Sequence, residues 1–295
     1  MDETDVAICR MLIGNSRVSY ADISKTLGIS AQAAHKRVQS LLDAGHIRAF
    51  TCNPSFHGSG MMWVMVHGFS HHHSMESLAE TLSGHPSLAM MMFASGNYVY
   101  IHAAVRDANE MANVVSFLQR EGLISDIQVG IIPVEGTPSD HRLDRMDMRI
   151  IETLSEDARL NVSQLADSLG SSPKTVRRRL KRLIDEDLAH FSIQWWPDGI
   201  GDVVCNIHLL IREDAPSQQV LFSLLRDRGD CINRIYSFSN LPNHLIVTLW
   251  TKTTRELWEL CREWESHGLF HHVVPNIIRG IHYFPDPRRR VLTDR

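Results

Sequence analysis

Residues 161–185 read Asn-Val-Ser-Gln-Leu-Ala-Asp-Ser-Leu-Gly-Ser-Ser-Pro-Lys-Thr-Val-Arg-Arg-Arg-Leu-Lys-Arg-Leu-Ile-Asp. Asn161 stands as an N-cap with Gln164 three residues on, the reciprocal pattern that satisfies two free amides at a helix start. Leu169-Gly170 closes that short helix, glycine supplying the left-handed turn. Ser172 caps a second helix, and Pro173 takes the first helical position, where its missing N–H is harmless. Helix, glycine turn and capped helix make a helix-turn-helix, with 173–182 as the segment that enters a DNA groove.

The same plan occurs earlier in the chain. Asp2, Asp5, Ile8, Leu12, Arg17, Leu27, Gly28, Ser30, Arg37, Leu41 and Asp43 recur, without a gap, as Asp144, Asp147, Ile150, Leu154, Arg159, Leu169, Gly170, Ser172, Arg179, Leu183 and Asp185. A fixed spacing of this kind marks an internal duplication. Ile8, Met11 and Leu12, matched by Ile150, Ile151 and Leu154, have the spacing of a first helix ahead of the other two. After each trio, 45–52 and 188–194 read as short extended segments, either a wing or a linking strand.

The remainder of each half changes rhythm. Residues 61–68, 88–94, 98–105 and 127–133 read as strands, with helices at 75–82 and 108–119, which gives the order βαββαβ. The second half repeats it with 203–211, 217–226, 232–238, 244–250, 255–266 and 272–278. The fold class expected is α+β: two tandem copies of a winged helix-turn-helix followed by a ferredoxin-like domain. The boundaries follow as 1–53, 54–138, 139–194 and 195–295. Each sheet has one face covered by helices, and the other half of the chain is the expected cover for the second face, with Met65 and Val99 taken as residues of that face. One chain should therefore behave as an internal pseudo-dimer, with further homo-oligomerisation open.

Composition limits the alternatives. With 295 residues, 43% apolar and 22% charged, the chain is an ordinary globular one of several modules. Its longest apolar run, 61–69, is interrupted by His67 and is too short to span a bilayer, and the acidic start lacks a secretory pattern, so a cytoplasmic location is expected. Five widely spaced cysteines form neither a disulfide framework nor a zinc motif. A net charge of −4 means that any DNA contact must be local. A basic run is ordinarily a solvated surface, but Lys174, Arg177, Arg178, Arg179, Lys181 and Arg182 fall on the third helix of the second trio, which points to double-stranded DNA. The expected contacts there are Ser172, Lys174, Thr175, Arg177, Arg178, Lys181 and Arg182. The first trio offers the weaker set Ser30, Gln32, Lys36 and Arg37. His71, His72 and His73 invite a metal, yet consecutive side chains on an extended segment point in alternate directions, so a solvated turn is expected and no metal or cofactor is assigned.

The string Leu27-Gly28-Ile29-Ser30, with Arg37-Val38, Leu41-Leu42, Gly45-His46-Ile47-Arg48 and Asn53-Pro54, resembles the DNA-binding half of the Lrp/AsnC family. Ser95-Gly96-Asn97-Tyr98-Val99-Tyr100 is similar to that family's effector hairpin. The resemblance covers nearly the whole chain twice, where family members ordinarily carry one copy, and implies a prokaryotic, archaeal-like source. It implies a sequence-specific transcriptional regulator that is not an enzyme, with a small-molecule effector, an amino acid among the candidates, held at Gly96, Asn97 and Tyr98. The second copy departs from the pattern: 239–244 lacks the glycine, and Asp187-Leu188-Ala189-His190 replaces the Gly-x-Ile string. The alternative is a siroheme decarboxylase-like tetrapyrrole enzyme, which resembles the same architecture and to which 17 histidines would be suited. No nucleophile–base pair or phosphate loop suggests other catalysis.

Overall fold

A computed structural model describes residues 1–134, 142–196, 202–215 and 217–293. It divides into two compact units, Met1–Met61 with Val134–Trp196 and Asp286–Arg295, and Met62–Pro133 with Pro197–Pro285. The four expected domains are thus grouped by kind: both helix-turn-helix regions in the first unit, both ferredoxin-like regions in the second. In this division the segment 54–61, Trp195 and Trp196, and the C-terminal 286–295 lie with the first unit rather than with the ferredoxin-like regions, while the expected division at 138/139 lies outside the described residues.

Elements are numbered along the whole chain. In the first unit, α1 (Glu3–Gly14), α2 (Tyr20–Leu27) and α3 (Ala31–Asp43) are followed by β1 (Ile47–Pro54) and the short α4 (Phe56–Ser59). The second trio is α7 (Arg145–Glu156), α8 (Val162–Leu169) and α9 (Pro173–Asp185), followed by β6 (Ala189–Trp195); α12 (Arg290–Thr293) ends the unit. Asp2, Ser19 and Ser30, with Asp144, Asn161 and Ser172, all cap as the sequence requires, and Gly28 and Gly170 turn with φ of 66° and 62°. Ile150, Ile151, Leu154, Leu165, Val176, Leu180 and Leu183 form the second core.

The extended segment after each trio is a linking strand, and β1 pairs antiparallel with β6, Cys52 opposite Phe191. Around this ribbon the copies exchange contacts. Arg17 donates from Nη1 to the carbonyls of Ala158 and Leu160, while Arg159 donates to those of Ser16 and Val18 and to the Tyr20 hydroxyl. The backbone repeats the exchange, Ser16 N–H to Phe191 O and Ala158 N–H to Phe50 O. The repeated arginine is therefore a reciprocal clasp that satisfies loop carbonyls of the opposite copy.

In the second unit, β2 (Met62–Ser70), α5 (Met75–Leu82), β3 (Leu88–Ala94), β4 (Tyr98–Val105), α6 (Ala108–Arg120) and β5 (Ile124–Ile132) form the first βαββαβ set. The second set is β7 (Val203–Ile211), α10 (Ser217–Arg228), β8 (Ile232–Phe238), β9 (Leu241–Thr251), α11 (Thr254–Ser266) and β10 (Phe270–Tyr283). The strands make one sheet in the order β5-β2-β4-β3-β10-β7-β9-β8. The long β10 joins the halves, pairing β7 through 270–277 and β3 through 278–283. At the opposite ends, Asn240 Oδ1 accepts from Ile131 N–H, Asn240 Nδ2 donates to Val129 O, and Ser239 N–H donates to Ile131 O. Gly130 permits this approach, since a Cβ there would lie 2.2 Å from the Phe238 ring. Asn240, in the 239–244 stretch that lacks the glycine, thus ties the sheet ends together.

Strand alternation divides the side chains. Val64, Val66, Val99, Ile101, Ala103 and Val105 pack under Leu78, Leu82, Val114 and Leu118. Cys205, Ile207, Leu209, Leu245, Val247 and Leu249 pack likewise under Val220, Leu224, Leu257 and Trp264. Val99 therefore belongs to the helix-covered face, contrary to expectation. The opposite face carries buried Met65 together with polar His67, Tyr100, His102, Asn206 and Thr248.

Candidate functional site

On α9, Lys174, Arg177 and Arg178 are exposed, and none of them is in an ion pair among the described residues. Lys181 is exposed too, but meets Asp185 one turn on. Arg182 reaches Asp147, and Arg179 reaches both Asp144 and Asp147, whose carboxylate is fully buried. Arg182 is thereby placed as a structural residue of the helix base rather than as a free cation, because a buried carboxylate must be paired. Ser172 spends its hydroxyl on the Thr175 amide and sits 2.9 Å from the Thr175 hydroxyl. On α3, Gln32 and Lys36 are exposed, Ser30 caps by accepting from Ala33 N–H, and Arg37 is held by Asp2 and Asp5. The repeated Asp, Asp and Arg are accounted for: in each copy a capping-box pair anchors an arginine of the third helix.

The second unit holds a cluster that no sequence motif announced. Met62 lies opposite Val105 and Val203 opposite Thr251, a shared register that makes His67 of β2 and His208 of β7 equivalent, and Tyr98 equivalent to His244. His67 Nδ1 meets the Tyr98 hydroxyl at 2.6 Å, and His208 Nδ1 meets His244 Nε2 at 3.0 Å. Tyr100 Oη lies 2.6 Å from His208 Nε2 and accepts from Asn276 Nδ2 at 2.8 Å. One ligand atom from each of His67, His208 and His244 lies within 4.8 Å of the others. Burial, with the neighbouring His244, pushes the His67 imidazole down to about 4, and burial, with His67 and His244, pushes His208 to about 3. His244 is lowered by burial as well, so the three rings are neutral at pH 7. Burial raises Tyr98 to about 12 and Tyr100 well above the usual phenol value, keeping both hydroxyls protonated.

His102, wholly buried beside Trp63 and Tyr236, is pushed down to about 3 by burial and by Arg234, and neither ring nitrogen has a hydrogen-bond partner. The available signal was period-two polarity on otherwise apolar strands, Tyr98-x-Tyr100-x-His102 and Asn206-x-His208. Of the expected effector residues, Gly96 and Asn97 adopt left-handed turns with φ of 66° and 59°, while Tyr98 turns to His67. Asn97 lines a separate cavity of about 440 Å³ with His72, His73, Glu76 and Arg279. His71 and His72 bond to different partners, Ser125 and the Glu121 carbonyl.

Family models match both trios, an AsnC-type helix-turn-helix domain over residues 1–42 and a winged helix-turn-helix DNA-binding domain over residues 143–188. Both trios are thus similar to helix-turn-helix domains, the first of the AsnC type, as the internal duplication requires. Relatives include an uncharacterised HTH-type transcriptional regulator of Pyrococcus furiosus, 24% identical over 138 residues, covering 45% of this chain and 92% of the relative. The HTH-type transcriptional regulator LrpA of Pyrococcus horikoshii is 27% identical over 118 residues, 39% of this chain and 84% of its own. Among solved structures, the siroheme decarboxylase NirDL matches 99% of this chain and 98% of its own, with a TM-score of 0.62 and 15% identity, a likeness of fold. Among the described residues no helix is long and apolar enough to cross a membrane.

Proposed function

We propose that this Lrp/AsnC-type chain is a cytoplasmic, sequence-specific DNA-binding transcriptional regulator that responds to a small molecule and is not an enzyme. The observation that carries the reading is α9, a third helix with Lys174, Arg177 and Arg178 exposed and unpaired in an otherwise acidic protein. These cations neutralise phosphates, Thr175 and Gln32 lie where base edges are read, and the effector acts through unequal affinity for two states. The names of the relatives agree with this reading. Sequencing genomic fragments retained by the purified chain tests it. A shared motif is expected, and its loss in a Lys174→Gln, Arg177→Gln, Arg178→Gln variant; uniform retention of all fragments by both proteins overturns it.

A second reading has its own support in the histidine cluster and the full-length likeness to NirDL, which has also been solved in co-complex with an iron-uroporphyrin III analogue. On that reading the second unit acts on an acidic tetrapyrrole. A visible absorption band on adding siroheme, loss of carbon dioxide from it, and no retention of DNA would replace the regulator with the enzyme.

A further inference from the structure

We propose that His67, His208 and His244 bind one divalent transition-metal ion of the zinc, cobalt, nickel or copper class, through His67 Nε2, His208 Nδ1 and His244 Nε2. The argument starts with the free atoms. His67 gives Nδ1 to the Tyr98 hydroxyl, and its Nε2, in a residue 1% exposed, has no hydrogen-bond partner. His208 gives Nε2 to Tyr100, which leaves Nδ1 directed at His244 Nε2. Both 2.6 Å contacts allow the tautomer in which the tyrosine hydroxyl accepts the imidazole N–H, and in that tautomer the opposite nitrogen carries the lone pair that a metal needs. Asn276 donates to the Tyr100 oxygen from the other side and fixes its orientation. This is the outer-shell arrangement that orients ligating imidazoles, here built from two tyrosines and an asparagine.

The distances suit one ion. Tetrahedral nitrogens bound at 2.0–2.1 Å stand about 3.3 Å apart, close to the 3.0 Å between His208 and His244. His67 completes the set by a small rotation, since no pair of the three ligand atoms exceeds 4.8 Å. Three neutral nitrogens without thiolate or carboxylate select imidazole-preferring metals over magnesium or calcium. The ion also resolves a cost, for a buried Nε2 with no partner is otherwise destabilising. His244 and Tyr98 are only partly buried, which leaves a route in and a fourth coordination position for water or a small ligand. The three histidines come from strands β2, β7 and β9, so the site exists only where both halves of the duplication are present.

Cobalt(II) titration of the chelator-treated full chain tests the proposal, with no DNA or tetrapyrrole present. The expected result is the intense visible d–d bands of a four-coordinate ion, saturating at one equivalent. His244→Ala, at the partly exposed ligand, should abolish the bands while circular dichroism stays unchanged. Tyr98→Phe keeps all three ligands and should weaken binding about 10–100-fold, the usual cost of losing an outer-shell partner. Replacing His71, His72 and His73 by alanine should leave the titration intact. Absence of the bands, their survival in His244→Ala, or their loss on replacing His71–His73 overturns the proposal. Tyr98→Phe remains readable if the alanine variant fails to fold, and unaltered affinity there also counts against it.

Discussion

The third helices α3 and α9 stand on the same foundation and carry opposite surfaces. Each begins at a serine cap and is anchored through an arginine, Arg37 or Arg179, to two aspartates of its first helix. At the outward positions Gln32, His35 and Lys36 of α3 stand where α9 has Lys174, Arg177 and Arg178. Beneath, Ser40 stands where α9 has Arg182, the second arginine on Asp147. Identity between the copies follows the anchor and difference follows the exposed face, so duplication has kept the scaffold while charge has gathered on one head.

The anchor is where the copies should differ most in stability. Asp147→Ala removes a fully buried carboxylate from beneath two arginines and takes half of a capping box with it. Breaking a buried pair from one side costs about 3–5 kcal/mol, whereas Asp5→Ala, at a partly solvated site with one arginine, should cost about 1–2 kcal/mol. Urea denaturation of the two variants measures the gap. Equal losses would mean that Arg182 adds nothing to the second anchor.

Charge on the heads gives the next effect. With one phosphate contact for each of Lys174, Arg177 and Arg178, as the proposed function has it, neutralising all three should lower the slope of log affinity against log salt by about 2.7, at about 0.9 per contact. Between about 50 and 200 mM salt the parent would then lose about 40-fold more affinity than the variant. Lys36→Gln on α3 should change the slope by about 0.9 at most. A larger change from Lys36 than from the three α9 residues would reverse the assignment of the principal head.

The ferredoxin-like halves differ in the same way, and pH exposes it. His102 of β4 occupies the register position of Thr248 in β9; Thr248 donates to Asn206 Oδ1, whereas His102 has no partner. Burial holds His102 down at about 3 in the folded chain against an unfolded value near 6.5. Above pH 6.5 both states are neutral and no difference arises. As pH falls below 6.5 the unfolded chain takes up a proton that the folded chain refuses, so stability declines until the folded value is reached. The loss from this one residue is about 2 kcal/mol by about pH 5. His102→Leu should flatten the acid limb of stability between about pH 6 and 4. An unaltered limb would show that His102 is hydrated in the folded state.

Most of the fold was legible because its determinants are local. Caps, glycine turns and apolar spacing at 161–185 fix a helix-turn-helix without reference to anything distant, and 75–82, 88–94 and 98–105 coincide with the observed elements. The histidine cluster was hidden for the opposite reason. His67 and His208 are equivalent only by sheet register, their separation in the chain being 141 rather than the 142 that aligns the helical trios, and β4 and β9 drift further. Arg37 and Arg182 looked like DNA contacts because sequence reveals charge but not the carboxylates that consume it. Asn240 looked like a defective effector turn because its partners, Val129 and Ile131, belong to the other half.

The smallest difference between the heads is also the one that separates stability from recognition. Lys181 pairs with Asp185 one turn along α9, and Gln39 donates to Asp43 at the same place on α3. Both members of the lysine pair are well solvated, with side chains 71% and 53% exposed, so the attraction is screened and offset by the entropy of two long side chains. Lys181→Gln, which recreates the α3 arrangement, should therefore change stability by no more than about 0.5 kcal/mol. Were Lys181 to exchange its carboxylate for a phosphate on DNA, as the proposed function has it, a counterion would be released and the substitution should lower the salt slope by about 0.9. The two measurements on one variant distinguish the alternatives. A salt slope equal to the parent's would show that Asp185 keeps Lys181 and that the DNA-facing charge of α9 ends at Arg178; a stability loss above about 1 kcal/mol would place Lys181 with the anchor.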